Sequence, residues 1–193
     1  MQKNENTFVL AGVLFAITAL VALLLSLVNN VTAPKISEIE KQEQTLARSA
    51  VLRGADDFKE IALTEDISEL VQSIHEGAHE GQTVGYCVSV SPAGFGGPIN
   101  MIVGLNLEGA IEGVKIVSFS ETPGLGSKAQ DAVFCDQFRN KGKSGLLKVI
   151  KSGTAKSDEI VAVSGATVSS KAVTTGVNAA IEAVNGIREG DAE

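Results

Sequence analysis

The sequence is poor in aromatic residues, cysteine and histidine, and it has no surplus of positive charge. Its 193 residues contain no Trp, one Tyr, seven Phe, two Cys and two His. Two cysteines are too few for a disulfide framework or for a four-cysteine zinc or iron–sulfur site. The 16 Lys and Arg are outnumbered by 23 Asp and Glu. The net charge of −7 and the scarcity of aromatics for base stacking therefore both argue against a nucleic-acid-binding protein.

A long apolar run near the N-terminus is the most prominent feature that is present. Residues 8–28 read FVLAGVLFAITALVALLLSLV and contain no charged side chain. About 21 such residues are enough to cross a hydrocarbon core of about 30 Å. The pattern predicts a transmembrane helix over residues 8–31, after a tail of residues 1–7. The alternative is a cleaved signal peptide, whose apolar core is usually shorter, about 7–15 residues.

The charges that flank this run say little about its orientation. Lys3 precedes it, whereas Lys35, Lys41 and Arg48 follow it. The positive-inside rule taken alone would therefore leave the rest of the chain in the cytoplasm. Because the run has no charged residue, we do not expect it to conduct an ion.

The remainder of the chain predicts a linker and one α+β domain. Residues 32–80 are interpreted as a stalk or linker with a helical segment that begins near Pro34, followed by helix and loop over 54–80. Residues 81–193 form the predicted domain. Its β-rich runs at residues 83–91, 100–107 and 110–119 are separated by glycine-containing turns, which predicts an antiparallel meander.

Shorter elements are predicted after the meander. Residues 120–130 are interpreted as a loop, and residues 131–141 as a short amphipathic helix with Val133, Phe134 and Phe138 inward. A further strand pair, or a strand and a turn, is expected over residues 145–165. The last helix is predicted to begin with Ser169 or Ser170 as N-cap and to end at Gly186. Its apolar face consists of Val173, Val177, Ala180, Ile181 and Val184.

Two patterns of reactive residues have ordinary explanations. Residues 75–79 read HEGAH and fit H-E-x-x-H, which binds zinc when both His lie on one face of a helix. Gly77 within the motif disfavours a helix and no third His exists, so a solvated loop is favoured over a metalloprotease site. Cys87 and Cys135 each lie in an apolar run and are predicted to be buried, with a disulfide between them as the alternative outside the cytoplasm.

Two glycine-containing segments are candidates for a binding site. Residues 164–171 read SGATVSSK, a slim backbone with hydroxyls directly before the last predicted helix. The free N–H groups and the positive dipole end of that helix suit a phosphate, which the threonine can contact or be esterified to. A helix-capping turn without a ligand is the alternative. Residues 121–126 read ETPGLG, in which the glycines permit close approach to a flat or anionic group.

These two segments, with the glycine-rich residues 94–98, closely resemble the FMN-binding subunits of two related membrane redox complexes. The families are the G-type subunits of the Rnf ferredoxin:NAD⁺ oxidoreductase and the C-type subunits of the sodium-translocating NADH:quinone reductase. The short chain without long insertions favours the former. The resemblance implies that Thr167 carries FMN through a phosphodiester bond. It implies that the residues around the flavin are Ser164, Gly165, Ala166, Ser169, Ser170, Glu121, Thr122, Gly124, Leu125 and Gly126.

The resemblance also implies the role and surroundings of the chain. It would relay electrons without catalytic residues or a metal of its own, in a complex that moves Na⁺ or H⁺. Its partners would be membrane subunits, including a second flavin subunit and iron–sulfur subunits, and a flavin transferase would attach FMN. The N-terminus would be cytoplasmic and the flavin domain extracytoplasmic in the cell membrane, opposite to the charge count. The alternatives are a membrane-anchored module that binds a phosphorylated ligand without redox chemistry, and a structural assembly protein.

One departure from the family pattern concerns the modification motif. That motif usually has an Asp six residues before the modified threonine. The residue at this position is Val161, and the nearest acids, Asp158 and Glu159, lie further upstream. The acceptor hydroxyl of Thr167 itself is retained.

Overall fold

The apolar N-terminal run lies within one continuous helix. In the computed structural model, which describes residues 3–63 and 67–190, helix α1 covers Lys3–Val51, 49 residues in all. Residues 1–2 of the predicted tail, 64–66 of the predicted linker and 191–193 of the predicted domain lie outside the described residues. Pro34 lies inside α1, so its predicted place in a first helical turn is wrong. Proline has no N–H to donate to the carbonyl four residues earlier, yet the helix continues past it.

α1 has the composition of a membrane span. Its most apolar 18-residue window has a mean hydropathy of 2.9, and none of that window is buried, which distinguishes it from the core helix of a globular domain. Among the described residues it is the one helix that is long and apolar enough to cross a membrane. Thr18 donates its hydroxyl to the carbonyls of Leu14 and Phe15, 3.0 Å away in both cases, so this polar side chain is satisfied within the helix. The contact pattern divides the chain into a unit that ends at Glu43 and a unit that begins at Gln44.

The second unit is built on a five-stranded antiparallel meander with the strand order β1-β2-β3-β4-β5. This confirms the α+β class and the meander expected for the last three strands. The helix and loop predicted for residues 54–80 are wrong, because that region contributes the first two strands. Register shifts at Val71/Ser73 and Gly77/Ala78 interrupt the alternation that identifies a strand in a sequence. The strands are β1 Asp57–Ile61, β2 Val71–His79, β3 Gln82–Val90, β4 Asn100–Asn106 and β5 Ile111–Ser118.

A second, smaller sheet and three short helical segments follow the meander. The first helical segment is a 3₁₀ helix, Gly126–Gln130, which occupies the second half of the predicted loop 120–130. Strands β6 (Lys148–Ile150) and β7 (Glu159–Val161) pair in parallel. Helix α2 (Ala132–Cys135) is shorter than predicted and continues as a 3₁₀ turn. Phe134 and Phe138 are buried in edge-to-face contact at 5.5 Å, as expected, but Val133 is 86% exposed, so its inward placement was wrong.

Helix α3 (Thr167–Gly190) begins earlier and ends later than predicted. Ser169 and Ser170 lie inside its first turn. The Ser170 hydroxyl accepts from the Val163 N–H at 2.9 Å and donates to the Ala166 carbonyl at 2.9 Å, which corrects its assignment as N-cap. Gly186 lies within the helix and does not stop it. The apolar face is confirmed, since its five residues, Val173, Val177, Ala180, Ile181 and Val184, are all buried.

The sheet buries side chains on both of its faces. Alternate residues of the central strands pack against α3, among them Val88, Met101, Val103 and Leu105. The residues between them point the other way, where Cys87 and Ile102 pack against the end of α1 and Leu52 just beyond it. Because successive side chains of a strand point to opposite faces, one sheet supports two apolar clusters.

Four glycines let the end of α1 approach its face of the sheet. Gly77 pairs with Gly85, and Gly104 pairs with Gly113. A Cβ atom on Gly104 would overlap the backbone of Val51, and one on Gly77 or Gly85 would press on Leu52. The absence of side chains at these positions is therefore a packing requirement.

Two side-chain amides attach the small sheet to the helices. The Gln137 amide accepts from the Val161 N–H at 2.9 Å and donates to the Val161 carbonyl at 3.1 Å. Asn178 of α3 does the same with Leu147, at 2.9 and 3.0 Å. Each amide thus takes the place of one residue of a neighbouring strand.

The HEGAH segment is neither a loop nor a helix but the end of β2. His75 is buried beneath the end of α1 and pairs in the sheet with Glu60 and Cys87. His79 is exposed, with its Nδ1 3.1 Å from Asp56 Oδ2. Residues four apart in a strand are separated by about 13 Å. The helical geometry of a zinc protease is therefore ruled out for this segment.

The two thiols are free and buried, so the alternative of a disulfide is wrong. Burial raises the pKa of Cys87 to about 12 and that of Cys135 to about 11. Both side chains are therefore protonated at neutral pH and behave as apolar core groups, as predicted.

We predict that Gly104→Ala lowers the free energy of unfolding by about 1–3 kcal/mol, because the new methyl group overlaps the Val51 backbone. Gly186→Ala is the matched control, since Gly186 is helical and no atom of the described residues lies within 4 Å of its Cβ position. That control is expected to be neutral or to stabilise by up to about 1 kcal/mol. Chemical denaturation of the full chain in detergent measures both. Equal effects of the two substitutions would contradict the packing argument.

We also predict that His75 makes the domain less stable in acid. Burial lowers the pKa of His75, the nearby Arg48 lowers it further, and Glu60 partly opposes this. The unfolded state then binds the proton more readily, so stability is lost as the pH falls below about 6.5. The glutamine of the His75→Gln variant cannot bind a proton in this range. The free energy of unfolding of the variant should therefore fall less steeply than that of the wild type between pH 7 and pH 5, with slopes that differ by at most about 1.4 kcal/mol per pH unit. An unchanged slope would contradict this.

Candidate functional site

Three segments that are far apart in sequence meet at one end of the sheet. They are the hairpin formed by residues 91–99 between β3 and β4, the loop of residues 120–130 after β5, and the first turn of α3. Between them lies a cavity of about 360 Å³. Its lining residues are Phe95, Glu121, Thr122, Leu125, Gly126, Gly165, Ala166, Thr167, Val168 and Ser169.

The Glu121 carboxylate connects these three segments. One oxygen, Oε1, accepts from the backbone N–H groups of Phe95 at 2.7 Å and Gly96 at 3.3 Å. The other, Oε2, accepts from the Ser169 hydroxyl at 2.8 Å. The side chain is buried, and a buried carboxylate is tolerated when such donors replace water. Glu121 therefore joins the hairpin and the helix to its own loop.

Glycines make room for this carboxylate. A Cβ atom on Gly94 would overlap Glu121 Oε1, and one on Gly126 would overlap Glu121 Oε2 and press on the Ser169 hydroxyl. A Cβ atom on Gly96 would overlap the carbonyl oxygen of Ser120. The glycines of the hairpin and of the loop are thus explained by one close packing arrangement.

The start of α3 presents unpaired donors to the cavity. Within the described residues, the backbone N–H groups of Thr167, Val168 and Ser169 have no acceptor, as is usual in a first helical turn. The helix has 24 residues, so its N-terminal end carries a positive partial charge. Thr167 is half-buried at the cavity wall. The Thr167 hydroxyl has no hydrogen-bond partner among residues 3–63 and 67–190.

The turn before α3 packs closely against the loop that contains Leu125. Gly165 has a φ of +78°, a conformation that favours glycine, and its Cβ position lies 3.2 Å from Leu125. The Thr122 carbonyl accepts from the N–H groups of Leu125 at 3.2 Å and Ser127 at 3.3 Å, which holds the loop in a tight turn. Leu125 thereby lies against the turn that precedes Thr167.

Eight of the eleven predicted site residues line the cavity, and three do not. Ser164 is exposed outside it, Gly124 forms an exposed turn with φ +78°, and Ser170 is fully buried beneath it. Two lining residues were missed: Phe95 and Val168 are apolar and 74% and 53% exposed. Phe95 lies inside the glycine-rich hairpin, so an aromatic flanked by glycines was the available signal.

A second cavity of about 480 Å³ lies next to α2 and β7. Val161, which stands where the family motif usually has Asp, lines it together with Lys128 and Asp131. Asp131 thus brings a carboxylate to the cavity that Val161 lines, although the two residues are far apart in sequence.

The first cavity can hold an anionic group next to a flat apolar one. Unpaired N–H groups and a helix N-terminus suit a phosphate. Leu125, Val168 and Phe95 offer apolar surface beside it. The volume lies within the usual range for small-molecule sites, about 300–1,000 Å³. The Thr167 hydroxyl, which has no hydrogen-bond partner among the described residues, lies where these two regions meet. These properties fit FMN, which combines a phosphate with a flat ring system.

Comparisons with known proteins agree with this description. The FMN-binding domain family model matches residues 94–182. The G-type subunit of the Na⁺-translocating ferredoxin:NAD⁺ oxidoreductase complex of Acetobacterium woodii is 39% identical over 91% of this chain and 90% of its own length. The G-type subunit of the proton-translocating ferredoxin:NAD⁺ oxidoreductase complex of Clostridium ljungdahlii is 31% identical over 94% of both chains.

Solved structures share the fold. The crystal structure of the C-type subunit of the Na⁺-translocating NADH-quinone reductase of Parabacteroides distasonis superposes with a TM-score of 0.55 at 18% identity, over 77% of this chain and 92% of that one. Shewanella oneidensis NqrC gives a TM-score of 0.51 at 19% identity, over 72% of both chains. At this level of identity the likeness establishes the architecture alone.

Proposed function

The chain belongs to the family of G-type subunits of ion-translocating ferredoxin:NAD⁺ oxidoreductase complexes, and on that premise we propose that it carries electrons through FMN bound covalently to Thr167. The proposed link is a phosphodiester between the flavin phosphate and the threonine hydroxyl. The chain is then an electron relay within a redox-driven ion translocase and has no substrate site of its own. The relatives are named for sodium in one case and protons in the other, and the proposal is compatible with either ion.

The position of Thr167 is the observation that supports this proposal most directly. Thr167 is half-buried and is the first residue of a long helix, and its hydroxyl has no partner among the described residues. An ester phosphate at this oxygen would lie beside the unpaired N–H groups of Thr167, Val168 and Ser169. These donors and the helix dipole would stabilise its remaining negative charge.

The other residues that line the cavity would each have a role in holding FMN. When bound, FMN supplies the electron-transfer chemistry, and the protein supplies position and surroundings. Thr167 fixes one end of the cofactor, so its location does not depend on a dissociation constant. Leu125 and Val168 provide apolar walls, and Thr122, Gly126, Gly165 and Ala166 complete the lining. Among the predicted site residues, Ser170 supports the turn from below, whereas Ser164 and Gly124 act only through the backbone of their turns.

The membrane arrangement is part of the proposal. α1 contains the apolar run that would anchor the chain as a single-pass protein, with the N-terminus in the cytoplasm and the flavin domain outside. The flavin transferase would then modify Thr167 on the outer side. The proposed partners are the other Rnf subunits, including a second flavin subunit and iron–sulfur subunits.

We predict that Thr167→Ala abolishes the covalent flavin. The protein should be produced in cells that supply a flavin transferase and separated by denaturing electrophoresis. The wild-type band should fluoresce under ultraviolet light, because a covalent cofactor survives unfolding, and the Thr167→Ala band should be dark. Ser164→Ala is the control, since Ser164 is an exposed neighbouring hydroxyl outside the cavity, and it should retain full fluorescence. A bright Thr167→Ala band would refute the attachment site.

We predict that the domain is labelled from outside the cell. The two native thiols are buried and protonated, so they give little background with maleimides. Lys151→Cys places one thiol on an exposed loop. A membrane-impermeant maleimide should modify this variant in intact spheroplasts and should leave the wild type unmodified. Labelling that requires membrane permeabilisation would reverse the proposed orientation.

A further inference from the structure

Phe95 is an unusual side chain in the second unit. The aromatic residues of this unit are otherwise buried or half-buried, whereas Phe95 is 74% exposed. It lines the cavity at the tip of a hairpin flanked by Gly94 and Gly96. A single exposed apolar residue is ordinary on a protein surface. An aromatic ring at the edge of an apolar cavity has a more specific use, because rings prefer to stack on other flat groups.

The backbone that carries Phe95 is held firmly in place. Its N–H donates to Glu121 Oε1 at 2.7 Å, and the next N–H, from Gly96, donates to the same oxygen. Gly94 N–H donates to the Gly97 carbonyl at 2.8 Å, which closes the hairpin tip. The position of the ring therefore depends on a carboxylate from another segment of the chain.

The same carboxylate also sets the hairpin relative to α3. Its second oxygen accepts from Ser169, in the first turn of the helix, so the hairpin tip and that turn share one anchor. Both oxygens are engaged, and the side chain is only 7% exposed. Glu121 is therefore suited to positioning, because its two oxygens hold donors from two other segments.

We propose that Phe95 contacts the flavin ring and that Glu121 is a positioning residue, which fixes the 94–98 hairpin so that the Phe95 ring covers the cavity next to Thr167. This inference rests on the proposed function, because it assigns the ring system of FMN to this cavity. It adds a contact residue that was not among the predicted site residues, and it changes the expected role of Glu121 from direct flavin contact to support of the hairpin.

The contact is tested by placing a fluorescence quencher at position 95. An indole in contact with a flavin quenches its emission, so Phe95→Trp should lower native emission several-fold, with full recovery in denaturant. Leu107→Trp is the matched control. Leu107 is an exposed residue just beyond the far end of β4, about 23 Å from the hairpin by strand length. Its native emission should equal that of the wild type.

The outcomes separate this inference from the proposed function. A dark denatured band of the wild type means that no flavin is attached and refutes the proposed function. A bright denatured band, together with equal native emission of Phe95→Trp and Leu107→Trp, refutes only the contact by Phe95. Quenching confined to Phe95→Trp supports it.

The role of Glu121 is tested in the Phe95→Trp background. Glu121→Ala removes the acceptors for both hairpin N–H groups, so the hairpin should loosen and native emission should recover towards the wild-type value. Glu121→Gln retains an acceptor for the hairpin and a donor for Ser169, so quenching should persist. Should Glu121→Ala fail to fold, Gly96→Ala displaces the hairpin without altering charge, because its Cβ overlaps the Ser120 carbonyl. Persistent quenching in the loosened variant would refute the positioning role.

A redox measurement distinguishes positioning beside the flavin from a purely structural role. Glu121→Gln in the otherwise native chain removes one buried negative charge, which should make the flavin easier to reduce and shift its midpoint potential to more positive values. Glu182→Gln is the control, on the exposed side of α3 and about 20 Å further along the helix axis from Ser169. Solvent and salt screen that charge, so no shift is expected. Equal potentials for both variants would refute the placement of Glu121 beside the flavin.

Discussion

The packing of α3 against the meander determines where the site forms. The buried residues Val173, Val177, Ile181 and Val184 fix the helix on one face of the sheet. At Gly176 the helix comes so near to Met101 and Pro92 that a side chain would not fit. This contact brings the first turn of α3 to the end of the sheet where the β3–β4 hairpin and the loop after β5 emerge. A loop and a helix N-terminus from distant parts of the sequence therefore meet at one end of the sheet.

The elements that the sequence predicted well are those with regular apolar spacing. The strands β3, β4 and β5 are short β-rich runs between glycine-containing turns, and α3 has apolar residues at helical spacing, so the existence of these elements follows from the sequence pattern. β2 was missed because its irregular pairing breaks the alternation and because Gly77 disrupts the pattern. The start of α3 was misplaced since Ser169 and Ser170 resemble N-caps, yet their hydroxyls bind Glu121 and the backbone around the preceding turn. These uses depend on tertiary contacts.

The site was located through motif resemblance more than through physical pattern. A phosphate-binding turn before a helix follows from the residues, but its partner loop does not, because ETPGLG taken alone is an ordinary turn. The link between them is the bond of Glu121 to Ser169, 48 residues away. The reason for the glycines at 94, 96 and 126 could not be predicted from the sequence either. Their spacing suggests flexibility, whereas the structure shows that they leave space for one carboxylate and one carbonyl.

The two amides that hold the small sheet have a consequence for the lifetime of the protein. Gln137 and Asn178 each use both their oxygen and their nitrogen, so neither can be replaced by its acid without losing a donor. Spontaneous hydrolysis of either amide would put a carboxylate against a backbone carbonyl. Since Gln137 holds Val161 of β7, hydrolysis of this glutamine would loosen the attachment of the small sheet.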